Sequence, residues 1–170
     1  MINTRRKILR VILLVLLLAL MMVIFVMSHQ PAVVSSEISG GLIYRVLNFI
    51  MSGFDSLSDQ ERAEVVESLQ FIFRKGAHAT AYAAMGALSM GLMLTFKIEK
   101  RCLPALLAFV LSFLYAVSDE VHQLFIEGRS GQVSDVILDS GGAVFGIMAV
   151  AFWVWISIKR RQRKNISEKV

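Results

Sequence analysis

The chain is predicted to be an all-α, polytopic membrane protein with four transmembrane helices, and three observations carry that prediction. Apolar residues make up 56% of 170 positions, they fall in long blocks, and the charged residues collect around the ends of those blocks. Four blocks, at residues 8–27, 77–96, 103–118 and 136–158, approach or exceed the length needed to cross about 30 Å of hydrocarbon at about 1.5 Å per residue.

The first block follows Arg5-Arg6-Lys7, a start that also resembles a secretory signal peptide. The apolar run is long for such a peptide, and Val26-Met27-Ser28-His29 offers no small-x-small cleavage site, so a retained first helix is expected. Residues 28–73 form the long extracellular segment. Within it Ile38, Leu42, Val46 and Ile50 repeat every fourth position, and Val65, Val66, Leu69, Ile72 and Phe73 make a second apolar stripe. Two amphipathic helices are expected, lying on the outer leaflet or packing as a small cap over the helix ends. Ser58-Asp59-Gln60-Glu61 reads as a capping box opening the second, and Gly53-Phe54-Asp55-Ser56 as the turn between them.

In the second block Ala79, Ala83, Ala87 and Gly91 recur every four residues, as Gly142 and Gly146 do in the fourth. Small residues in such stripes let helix backbones approach closely in lipid, within one chain or between the copies of a homo-oligomer. The third block is short unless its helix continues through residues 119–126, which would carry an acidic cluster on a helix. Cys102 is the single cysteine and excludes an intramolecular disulfide.

Positive flanks tend to remain in the cytoplasm. Of eighteen Lys and Arg, thirteen fall on the side that holds both termini, including the basic tail 159–170, and five on the other, while eleven of thirteen acidic residues share the side with the five. Both termini are therefore expected to be cytoplasmic. The basic tail attracts anionic lipid headgroups, and no nucleic-acid partner is implied.

Ionisable groups at bilayer depth are costly, so their concentration in three clusters defines a candidate site. Arg74, His78 and Tyr82 are spaced by four and share one helix face, with Lys75 beside them. The two cations suit an anionic group, and His78 suits proton transfer. Asp119, His122 and Gln123 put a carboxylate, an imidazole and an amide on one side of the third helix, with Glu120 about a hundred degrees around. The Asp119–His122 spacing suggests a carboxylate orienting a general acid–base imidazole, and the same residues are also suited to ligate a cation. Asp135 and Asp139 stack on the fourth helix and repel one another unless a proton, an arginine or a metal lies between them, with Arg74 and Arg129 as candidate partners. The loop Gly128-Arg129-Ser130-Gly131 offers amides and a guanidinium to a phosphate or carboxylate.

The order Arg74-Lys75-x-x-His78-x-x-x-Tyr82, Asp119-Glu120-x-His122-Gln123, Gly128-Arg129-Ser130-Gly131 and Asp135-x-x-x-Asp139-x-x-Gly142 closely resembles the VanZ-like family of bacterial membrane proteins. Ser28-x-Gln30 after the first helix is similar to the family pattern too. The resemblance implies a multi-pass protein of the bacterial cell membrane and a link to reduced susceptibility to the glycopeptide antibiotic teicoplanin. It implies no reaction. The spacing of Arg129, Asp135 and Asp139 is also similar to the last motif of the type 2 phosphatidic acid phosphatases. Asp135 stands where that family has its nucleophilic histidine, and the family's Ser-Gly-His is missing.

Two functions are therefore expected as alternatives. In one, an outer-face pocket binds a lipid-linked cell-wall precursor or the lipid portion of a lipoglycopeptide among the membrane lipids. In the other, the protein is a hydrolase or transferase acting on a phosphorylated lipid headgroup. There Arg74 and Arg129 hold the phosphate and His78 or His122 serves as acid–base. Glu120, Asp135 and Asp139 activate water or hold a divalent cation.

Overall fold

In the computed structural model, which describes residues 4–96, 98–100 and 102–167, the apolar block at 77–96 is the second half of one long helix. Lys97, Arg101, Glu168 and Lys169, counted among the flanking charges, lie outside the described residues. The described residues form five α-helices and no strand: α1 (Thr4–Ser28), α2 (Ala32–Ile50), α3 (Asp59–Leu94), α4 (Leu103–Gln123) and α5 (Val133–Ser167), with a 3-10 turn at Phe54–Ser56 between α2 and α3. Three helical stretches are long and apolar enough to cross a membrane: Thr4–Ser28, Leu103–Gln123 and Val133–Asn165.

The block expected as a fourth span is not among them; it falls in α3, a helix of 36 residues, or roughly 54 Å at 1.5 Å per residue. Its first half is charged. Its second half is rich in Ala and Gly and carries His78 and Tyr82, which makes it less hydropathic than its neighbours. That composition is what close packing requires. A Cβ added to Gly142 would lie 2.3 Å from the Ala79 carbonyl oxygen, one on Gly146 1.9 Å from that of Ala83, and one on Gly86 2.2 Å from that of Ala143. The small-residue stripes are thus spent inside the chain, where α3 and α5 run parallel with backbones in contact. α1 packs on the same helix through Leu17 and Ile24, which form a buried cluster with Tyr82, Met85 and Ala116 of α3 and α4. The Tyr115 hydroxyl donates to the Met21 carbonyl at 2.6 Å.

The start of α1 and the end of α3 meet at the end of the bundle remote from the clusters. There Arg10 donates to the Thr95 carbonyl at 2.9 Å, satisfying an acceptor that the helix terminus leaves free, and lies 4.0 Å from the Phe96 ring centroid. Near the far end of α5, Lys159 sits 4.0 Å from the Trp155 ring.

At the opposite end, α2 doubles back along the charged half of α3. The capping box forms: the Glu61 amide donates to Ser58 Oγ at 3.3 Å and the Ser58 amide to Glu61 Oε2 at 2.9 Å. Gly53, at φ 90°, makes the turn where it was expected, a backbone that disfavours residues with a Cβ. Phe54 is fully buried beneath Tyr44, Arg62 donates to the Tyr44 hydroxyl at 3.1 Å, and Gln70 to the Ser36 carbonyl at 2.8 Å. Of the two apolar stripes, Val65, Val66 and Leu69 are half-buried, whereas Ile38, Leu42, Val46, Ile50, Ile72 and Phe73 are exposed.

Candidate functional site

Close packing of α3 on α5 continues towards the polar end as a ladder of charges. Lys75 pairs with Asp135, and His78 Nδ1 stands 3.5 Å from Asp139 Oδ2. Because the two helices are parallel, each step along α3 is matched by a step along α5. The partners expected for the two aspartates, Arg74 and Arg129, do not fill that role. Arg129 Nε donates to the Gln30 carbonyl at 3.2 Å and its Nη2 to the Met27 carbonyl at 3.4 Å. Those bonds tie the α4–α5 loop to the end of α1. Arg74 is exposed and makes no hydrogen bond or ion pair among the described residues. Burial, with the charge of Arg74 second, lowers the pKa of the Arg129 guanidinium.

Helix α4 ends at Gln123, short of residues 124–126, and it does carry the acidic cluster. Asp119, Glu120 and Gln123 are all buried. Asp119 Oδ2 accepts from Ser28 Oγ at 2.9 Å and from Gln123 Nε2 at 3.2 Å. Its expected pairing with His122 is absent. His122 instead meets His29, Nε2 to Nδ1 at 3.2 Å, and stacks against His29 and Phe25 with ring centroids 5.3 and 4.8 Å apart. Glu120 faces the α4–α5 loop and accepts from the Gln132 amide at 2.7 Å, so it braces the loop. A Cβ on Gly131 would lie 2.6 Å from the Glu120 carbonyl oxygen, which makes glycine necessary where the loop crosses α4. Gly128 turns the chain with φ 71°. The Arg129 amide donates to the Ile126 carbonyl at 3.1 Å and is not free for an anion.

These elements enclose a polar cavity of about 240 Å³ lined by Arg74, Lys75, His78, Gln123, Arg129, Asp135 and Asp139 among others. Seven of the eleven residues singled out from sequence line it. Asp119 lies behind it, close to His78 and Asp139. Tyr82 is fully buried with an unpartnered hydroxyl, and Glu120 and His122 line neither this cavity nor its neighbour.

The neighbour is a groove of about 210 Å³ between α1, α2 and α3, walled by Val23, Ile24, Met27, Ile38, Leu42 and Phe73. Arg74, His78 and Arg129 line both spaces. An apolar groove therefore opens on a cation-bearing polar pocket. The groove's α2 wall explains the exposed Ile38 and Leu42.

Sequence reasoning gave no site role to two contributors. Ser28 is 1% exposed and donates to Asp119; its signals were the Ser28-x-Gln30 pattern and a serine closing an otherwise apolar helix. His29 had none, because its partner lies on another helix.

The sequence model described as VanZ/LLP1 matches residues 13–155. No curated protein and no solved structure matches the chain.

Proposed function

The chain belongs to the VanZ/LLP1 family, and from that premise we propose that it is an envelope membrane protein which binds the anionic headgroup of a lipid-linked component and thereby lowers susceptibility to teicoplanin. One observation carries the proposal: Arg74, His78 and Arg129 stand where an apolar groove meets a polar pocket. An amphiphile with a phosphate or carboxylate at its head suits that junction, because the headgroup meets two neighbouring cations while the tail remains among apolar side chains. Among the described residues Arg74 has no hydrogen bond or ion pair to surrender, and a charge-assisted bond to an anion relieves its repulsion with Arg129.

In the proposed arrangement the second half of α3 crosses the membrane as a fourth span, shielded by α1, α4 and α5, the pocket faces outward, and both termini are cytoplasmic. The contact of Arg10 with Thr95 at the basic end and the weight of Lys and Arg there support that orientation.

The test is binding of polyprenyl phosphate, against neutral polyprenol, to the full chain in nanodiscs, paired with teicoplanin susceptibility of a sensitive host expressing the same variants. Arg74→Gln is expected to weaken phosphate-lipid binding roughly tenfold or more, with membrane abundance unchanged and protection lost. Equal affinity for the phosphate and the neutral alcohol would defeat the proposal.

A second reading, turnover of a phosphorylated headgroup by a hydrolase or transferase, draws on the imidazole of His78 lying 3.5 Å from the Asp139 carboxylate at the pocket wall. Release of inorganic phosphate or transfer of the headgroup from the same lipid by wild type, and its loss in His78→Gln, would favour it over binding alone.

A further inference from the structure

We propose that His78, Asp119 and Asp139 form a binding site for a single divalent transition-metal ion of the Zn²⁺ or Mn²⁺ class. The three come from three helices, α3, α4 and α5. One imidazole nitrogen and one oxygen from each carboxylate all lie within 4.8 Å of one another, a spread that a small contraction brings to the coordination sphere of an ion with ligands about 2.0–2.2 Å away.

Asp139 supplies the independent observation. It is 0% exposed, and among the described residues neither carboxylate oxygen has a hydrogen-bond partner, with His78 Nδ1 standing 3.5 Å from Oδ2. A buried carboxylate without a hydrogen bond is expensive, and native structures pair such groups or give them to a metal. Among the described residues no Lys or Arg pairs with it. Lys75 is taken by Asp135, Arg129 by the carbonyls of Met27 and Gln30, and Arg74 is exposed. Two carboxylates thus face one imidazole, an excess of negative charge that a dication balances.

Asp119 is prepared differently. Ser28 and Gln123 both donate to its Oδ2, which fixes the carboxylate and leaves the other oxygen for an ion. Such outer hydrogen bonds commonly orient metal-ligating carboxylates. One imidazole with two carboxylates suits Zn²⁺ or Mn²⁺, whereas Mg²⁺ and Ca²⁺ favour sites built wholly from oxygen. His78 and Asp139 also line the polar cavity, so the ion's remaining positions face the space beside Arg74 and Arg129. The site stands whether or not a lipid headgroup enters that space.

The test uses the full-length protein in detergent micelles, stripped with chelator and desalted, then titrated with Mn²⁺ alone and Zn²⁺ alone. Mn²⁺ binding is read by electron paramagnetic resonance, and bound Zn²⁺ by elemental analysis after desalting. One equivalent of metal per chain is expected, together with a rise in melting temperature on Zn²⁺ addition. Asp139→Asn and Asp119→Asn are each expected to weaken binding at least tenfold, and Ser28→Ala, which leaves all three ligands in place, by about ten- to a hundredfold. Should the carboxylate variants fail to fold, X-ray absorption at the zinc edge of the wild type decides. A first shell of nitrogen and oxygen with one imidazole supports the site, and a sulfur ligand from Cys102 overturns it. Folded wild type that takes up neither ion overturns it as well, and points to a proton shared between the two carboxylates. So does one-equivalent binding that survives both aspartate variants. Polyprenyl phosphate binding measured on the metal-free protein separates failure of this site from failure of the headgroup reading.

Discussion

His78 Nδ1 lies 3.5 Å from Asp139 Oδ2, and three residues further along α5 Gly142 meets the Ala79 carbonyl so closely that a Cβ there would sit 2.3 Å from its oxygen. The polar contact depends on the apolar one. A histidine and an aspartate on parallel helices can meet only if the backbones are held together, and glycines at 142 and 146 hold them there.

Gly146→Ala should therefore act at a distance. Its Cβ would lie 1.9 Å from the Ala83 carbonyl oxygen, a backbone atom that moves only if the helices part, and overpacking of this kind costs about 1–3 kcal/mol. Gly141→Ala is the control. Nothing lies within 4 Å of its Cβ position, so replacing a mid-helix glycine should stabilise by about 0.5–1 kcal/mol. Unfolding of both variants in detergent checks the pair, and equal effects would show that α3 and α5 are not in backbone contact.

The stripes that bring this about were legible in the sequence, because close packing in lipid leaves small residues at every fourth position. The capping box at Ser58 and the turn at Gly53 were legible for the same reason: local chemistry writes local sequence. Register between helices does not. Lys75–Asp135 and His78–Asp139 follow from how far α5 slides along α3, which no spacing within one helix reveals. His122 shows the limit most clearly. At about 100° per residue, position 122 lies some 60° to one side of Asp119 and position 123 about 40° to the other. Both looked like neighbours of Asp119. Only Gln123 reaches it, while His122 turns towards the end of α1.

Ser28 is the outer support that sequence undervalued. Its hydroxyl is buried and donates to Asp119 Oδ2 at 2.9 Å, and a hydrogen bond to a charged group is worth about 1.5–3 kcal/mol. Ser28→Ala should destabilise the protein by about that much, whereas Ser28→Thr, which keeps the hydroxyl, should cost less. Melting curves in the absence of metal would measure this, and an unchanged Ser28→Ala would mean that Gln123 alone suffices.

The stacked pair His29 and His122 predicts coupling rather than independent roles. Their rings lie 16° from parallel with centroids 5.3 Å apart, and aromatic pairs of this kind contribute about 0.5–1.5 kcal/mol beyond their burial. A double-mutant cycle with His29→Ala and His122→Ala should return a coupling energy in that range. A coupling of zero would leave His122 acting on some other group.

Glu61 gives the start of α3 a pH dependence. The Ser58 hydroxyl at 2.7 Å and the Ser58 amide at 2.9 Å both donate to its carboxylate, and these bonds lower its pKa from the ordinary glutamate value. A carboxyl lowered in the folded state contributes stability that is present above its unfolded pKa of about 4.3 and is lost as pH falls through the folded value. The first turn of α3 should therefore loosen below about pH 4.3, freeing Arg62 from Tyr44 and weakening the hold of α3 on α2, while the bond from Gln70 to Ser36 remains. Carboxyl-carbon NMR of Glu61 would show its titration below that of a free glutamate, and Ser58→Ala should return it to the ordinary range and remove the acid response of the turn. If Glu61 titrates normally in the wild type, the capping box is not populated in the folded protein.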